Sequence, residues 1–365
     1  MAGVPFGVYV HIPFCARRCD YCDFATWTDR AHLMEAYAGA CVADLQRRCT
    51  TGRVPPATSV FFGGGTPSML PAELLLTILE AVPRAPGAEV TVECNPDAVD
   101  PVKLAAYRAG GVNRLSFGVQ SMRPHVLAAL GRTHDPAGVE RAVGWARAAG
   151  FDNFNLDLIY GAAGESAADW EATLESALAL STPHVSAYAL TLEPGTPLAR
   201  RVVAGEVAAP DDDDQADKYA AADARLEAAG LSWYEISNWA RPGYECRHNL
   251  LYWAQGEYLG IGCAAHGHTG GRRWWNVRTP ERYIAAVGQK RSPEAGSEAL
   301  DPAARAEEAM ALALRTSTGA RLVSGDAGLV ADGLASRRGD RLVLTRRGRL
   351  LASDATARLL LLKSQ

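Results

Sequence analysis

Tyr9-Val10-His11-Ile12-Pro13-Phe14-Cys15-Ala16-Arg17-Arg18-Cys19-Asp20-Tyr21-Cys22-Asp23-Phe24 joins a short apolar strand to three thiols spaced C-x3-C-x2-C. On one loop at the C-terminal end of a strand, three sulfurs can converge on one point, and thiolates are the usual ligands of iron-sulfur clusters. A [4Fe-4S] cluster held by Cys15, Cys19 and Cys22 keeps one iron without a protein thiolate, free to bind a small molecule. A structural zinc site is the alternative. Such sites normally take four Cys or His ligands, often as paired C-x2-C units.

The chain of 365 residues is long enough for one large core plus an appended module. Its 48% hydrophobic and 21% charged residues describe an ordinary globular protein, and a net charge of -4 supplies no basic footprint, so no nucleic-acid partner is expected. The N-terminus lacks a basic region before its apolar residues, so no signal peptide is read. No apolar run approaches a membrane span. The 8 cysteines, without regular disulfide spacing, suit a reducing compartment, and a cytoplasmic location is expected. Cys41 and Cys49 fall in a helical pattern and are read as helix residues.

Working outward, the first 192 residues alternate β-rich runs (7–14, 59–62, 89–93, 114–119, 153–160 and 184–191) with helical patterns (31–49, 71–82, 101–109, 136–149 and 167–180). Such alternation specifies right-handed βαβ units on a parallel sheet. Six strands suit an α/β fold built as a partial TIM-like (β/α)6 barrel, with a doubly wound sheet as the alternative, since periodicity does not fix closure. The unusual residues support the barrel, because active groups in such folds collect at the C-terminal ends of strands. The first strand runs into the cysteine loop and the second ends in Gly63-Gly64-Gly65-Thr66-Pro67. The third ends in Glu93-Cys94-Asn95-Pro96, the fourth at Gln120, and the fifth carries Asp157. All five segments fall on one rim.

Together Tyr9, the cysteine triad, Gly64-Gly65-Thr66, Glu93, Phe117-Gly118-Val119-Gln120-Ser121, Arg132, Asp157 and Tyr234-Glu235-Ile236-Ser237-Asn238 resemble the oxygen-independent coproporphyrinogen III oxidase-like family of the radical S-adenosylmethionine (SAM) superfamily, over roughly residues 7–365. The resemblance implies a radical SAM barrel in which the fourth iron chelates the amino and carboxylate groups of SAM. It implies SAM or cluster contacts from Tyr9, Tyr21, Gly64, Gly65, Thr66, Glu93, Gln120, Arg132 and Asp157. The chemistry agrees: glycines let backbone groups approach the methionine end, Glu93 and Asn95 offer oxygens to ribose hydroxyls, Gln120 is a neutral donor and acceptor, and Arg132 is a cation for a carboxylate.

Two features point to the haem-chaperone branch of that family. The oxidase pattern adds a fourth cysteine two residues past the triad, where Phe24 stands here, and usually a longer segment before the cluster loop. His248-Asn249-Leu250-Leu251-Tyr252-Trp253 also matches the H-N-x-x-Y-W signature of the chaperone branch, which implies haem binding by His248, Asn249, Tyr252 and Trp253. An imidazole can coordinate haem iron and aromatic rings can cover the macrocycle. A buried, hydrogen-bonded structural histidine is the plainer alternative. Cys246, Cys263, His266 and His268 are nearby donors, and Cys263, inserted in a stretch resembling the family's G-x-G-A-H, is read as packing.

The resemblance therefore implies a haem chaperone with a [4Fe-4S] cluster and SAM, serving respiratory haem proteins, with dimerisation and peripheral membrane association as further expectations. Coproporphyrinogen III dehydrogenase activity is expected to be absent and is the rival reading; a structural zinc protein is the third. Residues 1–192 are expected to form the barrel, 193–300 a connecting region of mixed α/β structure whose residues 231–290 close over the barrel mouth, and 301–365 a small winged-helix-like tail. Asp211 to Asp214 read as the solvated start of a helix rather than a metal site. The Arg337-Arg338 and Arg346-Arg347 cluster reads as a protein-docking or lid element.

Overall fold

Strand β1 (Phe6–Ile12) sends Val8, Val10 and Ile12 to one face, where they are completely buried, and Tyr9 and His11 to the other. The computed structural model describes residues 4–52, 54–322 and 326–363. It repeats this division in β2 (Ala57–Gly64), β3 (Arg84–Cys94), β4 (Arg114–Gln120), β5 (Phe154–Tyr160) and β6 (His184–Ala189). Because side chains alternate along a strand, Val60, Phe62, Val92, Leu115, Phe117, Leu156 and Val185 pack into one core on the outer face. The inner face carries Glu93, Arg114, Ser116, Asn155, Asp157 and Ser186 around a cavity.

Helices α1 (Met34–Thr51), α2 (Ala72–Glu80), α3 (Pro101–Ala109), α4 (Pro124–Ala129), α5 (Pro136–Ala148) and α6 (Ala167–Ala179) alternate with these strands. β1 to β6 pair in parallel and lie in chain order. Every crossover thus moves the chain the same way round, as in a barrel. A doubly wound sheet reverses its strand order at a switch point, so that alternative is set aside. The six predicted strands and five predicted helices all form, with ends shifted by a few residues. α4 was not foreseen: six residues are too few to display a helical period.

Beyond β6 come α7 (Pro197–Val203), α8 (Asp212–Ala228), β7 (Ser232–Glu235), β8 (Asn238–Ala240), α9 (Arg247–Trp253), β9 (Glu257–Ile261), β10 (His266–Thr269), β11 (Arg272–Asn276), α10 (Pro280–Gly288) and β12 (Glu294–Ala299). The sheet order is β12-β11-β10-β9-β1-β2-β3-β4-β5-β6-β8-β7. Residues 231–290, expected over the barrel mouth, instead extend the sheet at both edges, with β8 antiparallel to β6 and β9 parallel to β1. Helix α9 lies against the opposite end. A Cβ on Gly7, at the start of β1, would sit 2.5 Å from Leu251 Cδ2 and 3.1 Å from the His248 ring, so a glycine there gives α9 its seat.

The last segment forms α11 (Pro302–Leu314), β13 (Ala320–Arg321), α12 (Asp326–Ala331), β14 (Ala335–Arg338), β15 (Arg341–Leu344), α13 (Arg346–Leu350) and α14 (Ala352–Lys363), with its own antiparallel sheet β13-β15-β14. Met310, Leu314, Leu329, Leu342, Leu344 and Leu359 make its separate core. Its basic residues reach back to the barrel. Arg349 donates to both Asp223 oxygens of α8 at 2.8 and 2.7 Å and lies over the Trp233 ring at 4.5 Å, and Arg346 joins the same carboxylate. The acidic run behaves as read: Asp211 caps α8, and Asp214 pairs with Lys218 at 2.7 Å.

Asp223 is buried and also accepts from Trp239 Nε1 at 2.8 Å. Burial works against its charge, but Arg349, Trp239 and Arg346 outweigh it and hold the carboxyl below its ordinary range. Removing one partner of such a pair leaves a buried cation uncompensated, so Asp223→Ala should lower stability by about 3–5 kcal/mol in urea denaturation. Because the folded pKa is lowered, the wild-type contribution is present above the ordinary carboxylate pKa of about 3.9 and is lost as pH falls through the folded value. The gap between variant and wild type should therefore shrink in acid.

Candidate functional site

Backbone pairing brings the cysteine loop onto the end of β2. Gly65 N donates to Ile12 O and Thr66 N to Phe14 O, both at 2.8 Å. Gly65 has to be glycine, because a Cβ there would lie 2.8 Å from both carbonyl oxygens. Gly64 has φ of 110°, and its Cβ would strike the His11 ring at 2.4 Å. The far side of the loop is tied by Trp27 N to Pro13 O at 2.8 Å, Cys15 N to Trp27 O at 3.0 Å, and His11 Nε2 with Ala25 O at 2.9 Å.

Cys15, Cys19 and Cys22 are free thiols, partly exposed at the mouth of a cavity of about 600 Å³. Burial raises the Cys15 pKa and lifts that of Cys22 to about 11, and in both the neighbouring Cys19 adds to the rise. Three thiolates this close repel one another until a cation offsets them, and the irons of a cluster supply that charge. Thr66 Oγ1 donates to Cys15 Sγ at 3.5 Å and Arg132 Nη1 to Cys19 Sγ at 3.3 Å, as second-layer donors do around cluster thiolates. The donor set fits a [4Fe-4S] cluster.

Tyr21, Gly64, Gly65, Thr66, Glu93, Gln120, Arg132 and Asp157 line the same cavity as the triad. Tyr9 does not; it stands on the wall of a smaller interior cavity, hydrogen-bonded with His11 Nδ1 at 3.1 Å. Arg132 is held between Gly118 O at 2.9 Å and Asn95 Oδ1, while its Nε is buried without a partner. Gln120 has a left-handed φ of 66° at a register shift between β4 and β5, where backbone strain aims a side chain. Cys94 sits beside these residues but is buried in the outer core.

The acids are unusual. Burial, then the charge of Asp157, lifts Glu93 to a pKa of about 8, partly opposed by the Gly64 N–H it accepts at 3.1 Å. Burial raises Asp157 as well, although Ser116 Oγ at 2.9 Å and Asn155 Nδ2 at 2.8 Å donate to it. Asn155 is the hub of a chain that the sequence reading missed. It also donates to Ser186 Oγ at 2.9 Å, which donates to Asn238 Oδ1 at 2.8 Å, and its Oδ1 meets His184 Nδ1 at 2.6 Å. The available signal was the alternation of polar residues at 114 and 116, at 155 and 157, and at 184, 186 and 188, opposite the apolar positions.

The His248 to Trp253 stretch is brought together on α9 as the floor of the interior cavity, which measures about 220 Å³ and is lined by His248, Asn249 and Tyr252. His248 is 1% exposed. Its Nδ1 is hydrogen-bonded with Ser59 Oγ and its Nε2 with Tyr252 OH, both at 2.9 Å, and its ring stacks on Phe61. Burial lowers its pKa to about 3. Both nitrogens are engaged, and the cavity falls below the roughly 300 Å³ at which pockets begin to enclose drug-sized ligands. A macrocycle does not fit here with α9 seated. Trp253 faces Arg315, whose guanidinium lies 4.9 Å from the ring centroid. Cys263 is completely buried against Tyr37, Cys246 is buried with its Sγ 3.7 Å from Glu89, and His268 is bonded with Gly256 O at 2.9 Å; His266 alone of these donors is exposed.

Residues 9–177 match the family model of the radical SAM superfamily. The chain is similar to the haem chaperone HemW of Mycobacterium tuberculosis, 48% identical over 376 aligned positions that cover 99% of this chain and 96% of the relative. It is 35% identical over 316 positions to HemW of Bacillus subtilis, covering 85% and 83%, and 39% over 294 positions to HemW of Escherichia coli, covering 79% and 75%. The solved structure of coproporphyrinogen III oxidase (HemN) from Escherichia coli, described as a radical SAM enzyme, superposes with a TM-score of 0.85 over 97% of this chain and 90% of that one, at 24% identity. At that identity the likeness concerns the fold alone.

Glu93 gives a test of the site's electrostatics. Its folded pKa is raised, so its contribution to stability is complete below the ordinary carboxyl value of about 4.3 and is lost as pH rises through about 8. Glu93→Gln removes that loss. The melting temperature of the wild type should fall relative to E93Q between pH 5 and pH 9, as read by parallel thermal melts.

Proposed function

The chain belongs to the radical SAM superfamily and, within it, to the family of HemW haem chaperones, and we propose on that premise that it binds haem and delivers it to respiratory haem proteins. The observation that carries this reading is the 48% identity to a haem chaperone along 99% of the chain. Phe24, 60% exposed on the cluster loop, supports it, standing where the oxidase pattern has a cysteine.

Cys15, Cys19 and Cys22 would hold the [4Fe-4S] cluster, which supplies one-electron chemistry and an iron open to SAM. The cavity residues of this chain do the rest. Gln120, Glu93 and Asp157 offer oxygens and an amide to the SAM hydroxyls, and Arg132 sets a positive charge between the cluster loop and β4. Glu93, protonated at neutral pH, can donate a hydrogen bond as well as accept one. Tyr9 supports this layer from beneath, through His11.

The clients are proposed as respiratory haem proteins reached in the cytoplasm, with membrane contact peripheral and a dimer as the working form. Among the described residues no helix is long and apolar enough to cross a membrane. The test against the rival is an anaerobic assay of reconstituted protein with coproporphyrinogen III, alongside haem transfer to an apo-cytochrome. Haem transfer without decarboxylated product is the expected outcome. Protoporphyrinogen formed over repeated turnovers would replace the chaperone by a dehydrogenase.

The motif on α9 is proposed to take part in haem binding by releasing the helix from β2, since the seated helix has no free imidazole nitrogen. His248→Ala should weaken haem binding or change its absorbance several-fold more than it changes the cluster spectrum. Unaltered affinity and absorbance would reduce the motif to a structural floor.

A further inference from the structure

Arg114 is 2% exposed, at the first position of β4, yet its guanidinium makes no hydrogen bond and no ion pair with any described group, and its Nε is buried without a partner. It lines the interior cavity of about 220 Å³. Burial works against its charge, but Cys246, Glu89, Tyr234 and Asp157 lie near enough to favour it, so what the guanidinium lacks is a hydrogen-bond partner rather than a counter-charge. The oxygens of the nearby acids are bonded to other donors. Glu89 accepts from Arg247 N at 3.2 Å and His248 N at 3.3 Å, capping α9, whose own cap residue Cys246 provides no side-chain bond. Asp157 is taken by Ser116 and Asn155, and Glu93, accepting from Gly64 N, is protonated at neutral pH.

Across the cavity stand Tyr188, Asn238 and Asn249, which carry O–H and N–H groups. Glu93, Ser116, Asp157 and Tyr188 line both this cavity and the larger one above it, so the two adjoin at these side chains. Arg114 lies one inward-facing position deeper than Ser116, about 6–7 Å toward the closed end. The volume is too small for a porphyrin ring and admits a short carboxylate arm. A guanidinium bonds a carboxylate through two parallel N–H groups, which supplies the missing hydrogen-bond partner and a fixed orientation.

We propose that this cavity is the socket for a carboxylate arm of the cargo, with Arg114 as its counter-charge; on the haem reading, on which this rests, the arm is a propionate. SAM also carries a carboxylate, and the test separates the two. The reconstituted full chain is titrated with haem, with haem dimethyl ester and with SAM, as wild type, Arg114→Gln and Arg114→Lys. Wild type should bind haem at least ten-fold more tightly than the ester, R114Q should lose that preference, and R114K should keep part of it, with the cluster absorbance as the control for folding. Equal binding of haem and ester by wild type would overturn the proposal while leaving the haem reading intact, and it needs no variant. Retained preference in R114Q, or loss of SAM binding with the preference unchanged, would also overturn it. Absence of saturable haem binding would remove the underlying reading and the proposal with it.

Discussion

Two backbone hydrogen bonds, from Gly65 and Thr66 of the β2 end to Ile12 and Phe14 of the cysteine loop, decide where the three thiols stand. They turn a loop into an extension of the sheet, so Cys15 starts from a position as fixed as a strand residue. Gly65 makes the approach sterically possible, and the ties to Trp27 and Ala25 close the loop from the other side. Nearly everything proposed for the site depends on that registration, because Thr66 and Arg132 reach the sulfurs only if the loop is held against the β2 end.

The second constraint is the division of the sheet into an apolar outer face and a polar inner one. The outer face supplies the burial that stabilises the barrel, at roughly 25 cal/mol per Å² of apolar surface. The inner face spends none of its positions on aliphatic packing around the Asn155 hub and keeps polar groups away from bulk water. Burial then shifts their chemistry, with a carboxylic acid at Glu93 that stays protonated near neutrality and an imidazole at His248 that stays neutral, and it leaves the Arg114 Nε without a hydrogen-bond partner. Such perturbed groups around a cavity are the usual mark of a functional interior.

Much of this was legible in the sequence because it is local. The C-x3-C-x2-C spacing, the six β-rich runs and the placing of Gly64, Glu93, Gln120 and Asp157 at strand ends can all be read within one βα unit. What stayed hidden is long-range. The pairing of β9 with β1 and of β8 with β6 joins residues some 50 to 250 positions apart, and no periodicity encodes the choice of edge. The same holds for α9: the motif leaves both a haem contact and a buried structural histidine open, and it is Ser59 and Phe61, almost two hundred residues earlier, that bury His248. Tyr9, which the resemblance groups with the SAM contacts, shares the inner face with His11 but stands two residues nearer the start of β1, on the wall of the smaller cavity. Arg114 and Asn155 were passed over because each alone is an ordinary strand residue; only their shared cavity distinguishes them.

The central claim is that three cysteines gather a [4Fe-4S] cluster and leave one iron for SAM. Electron paramagnetic resonance of the anaerobically reconstituted, reduced protein, recorded before and after adding SAM, tests it most directly. The account predicts a reduced [4Fe-4S] signal whose g-values change when SAM binds the open iron. Protein that takes up zinc in place of iron and sulfide, or a cluster whose signal is indifferent to SAM, would contradict it.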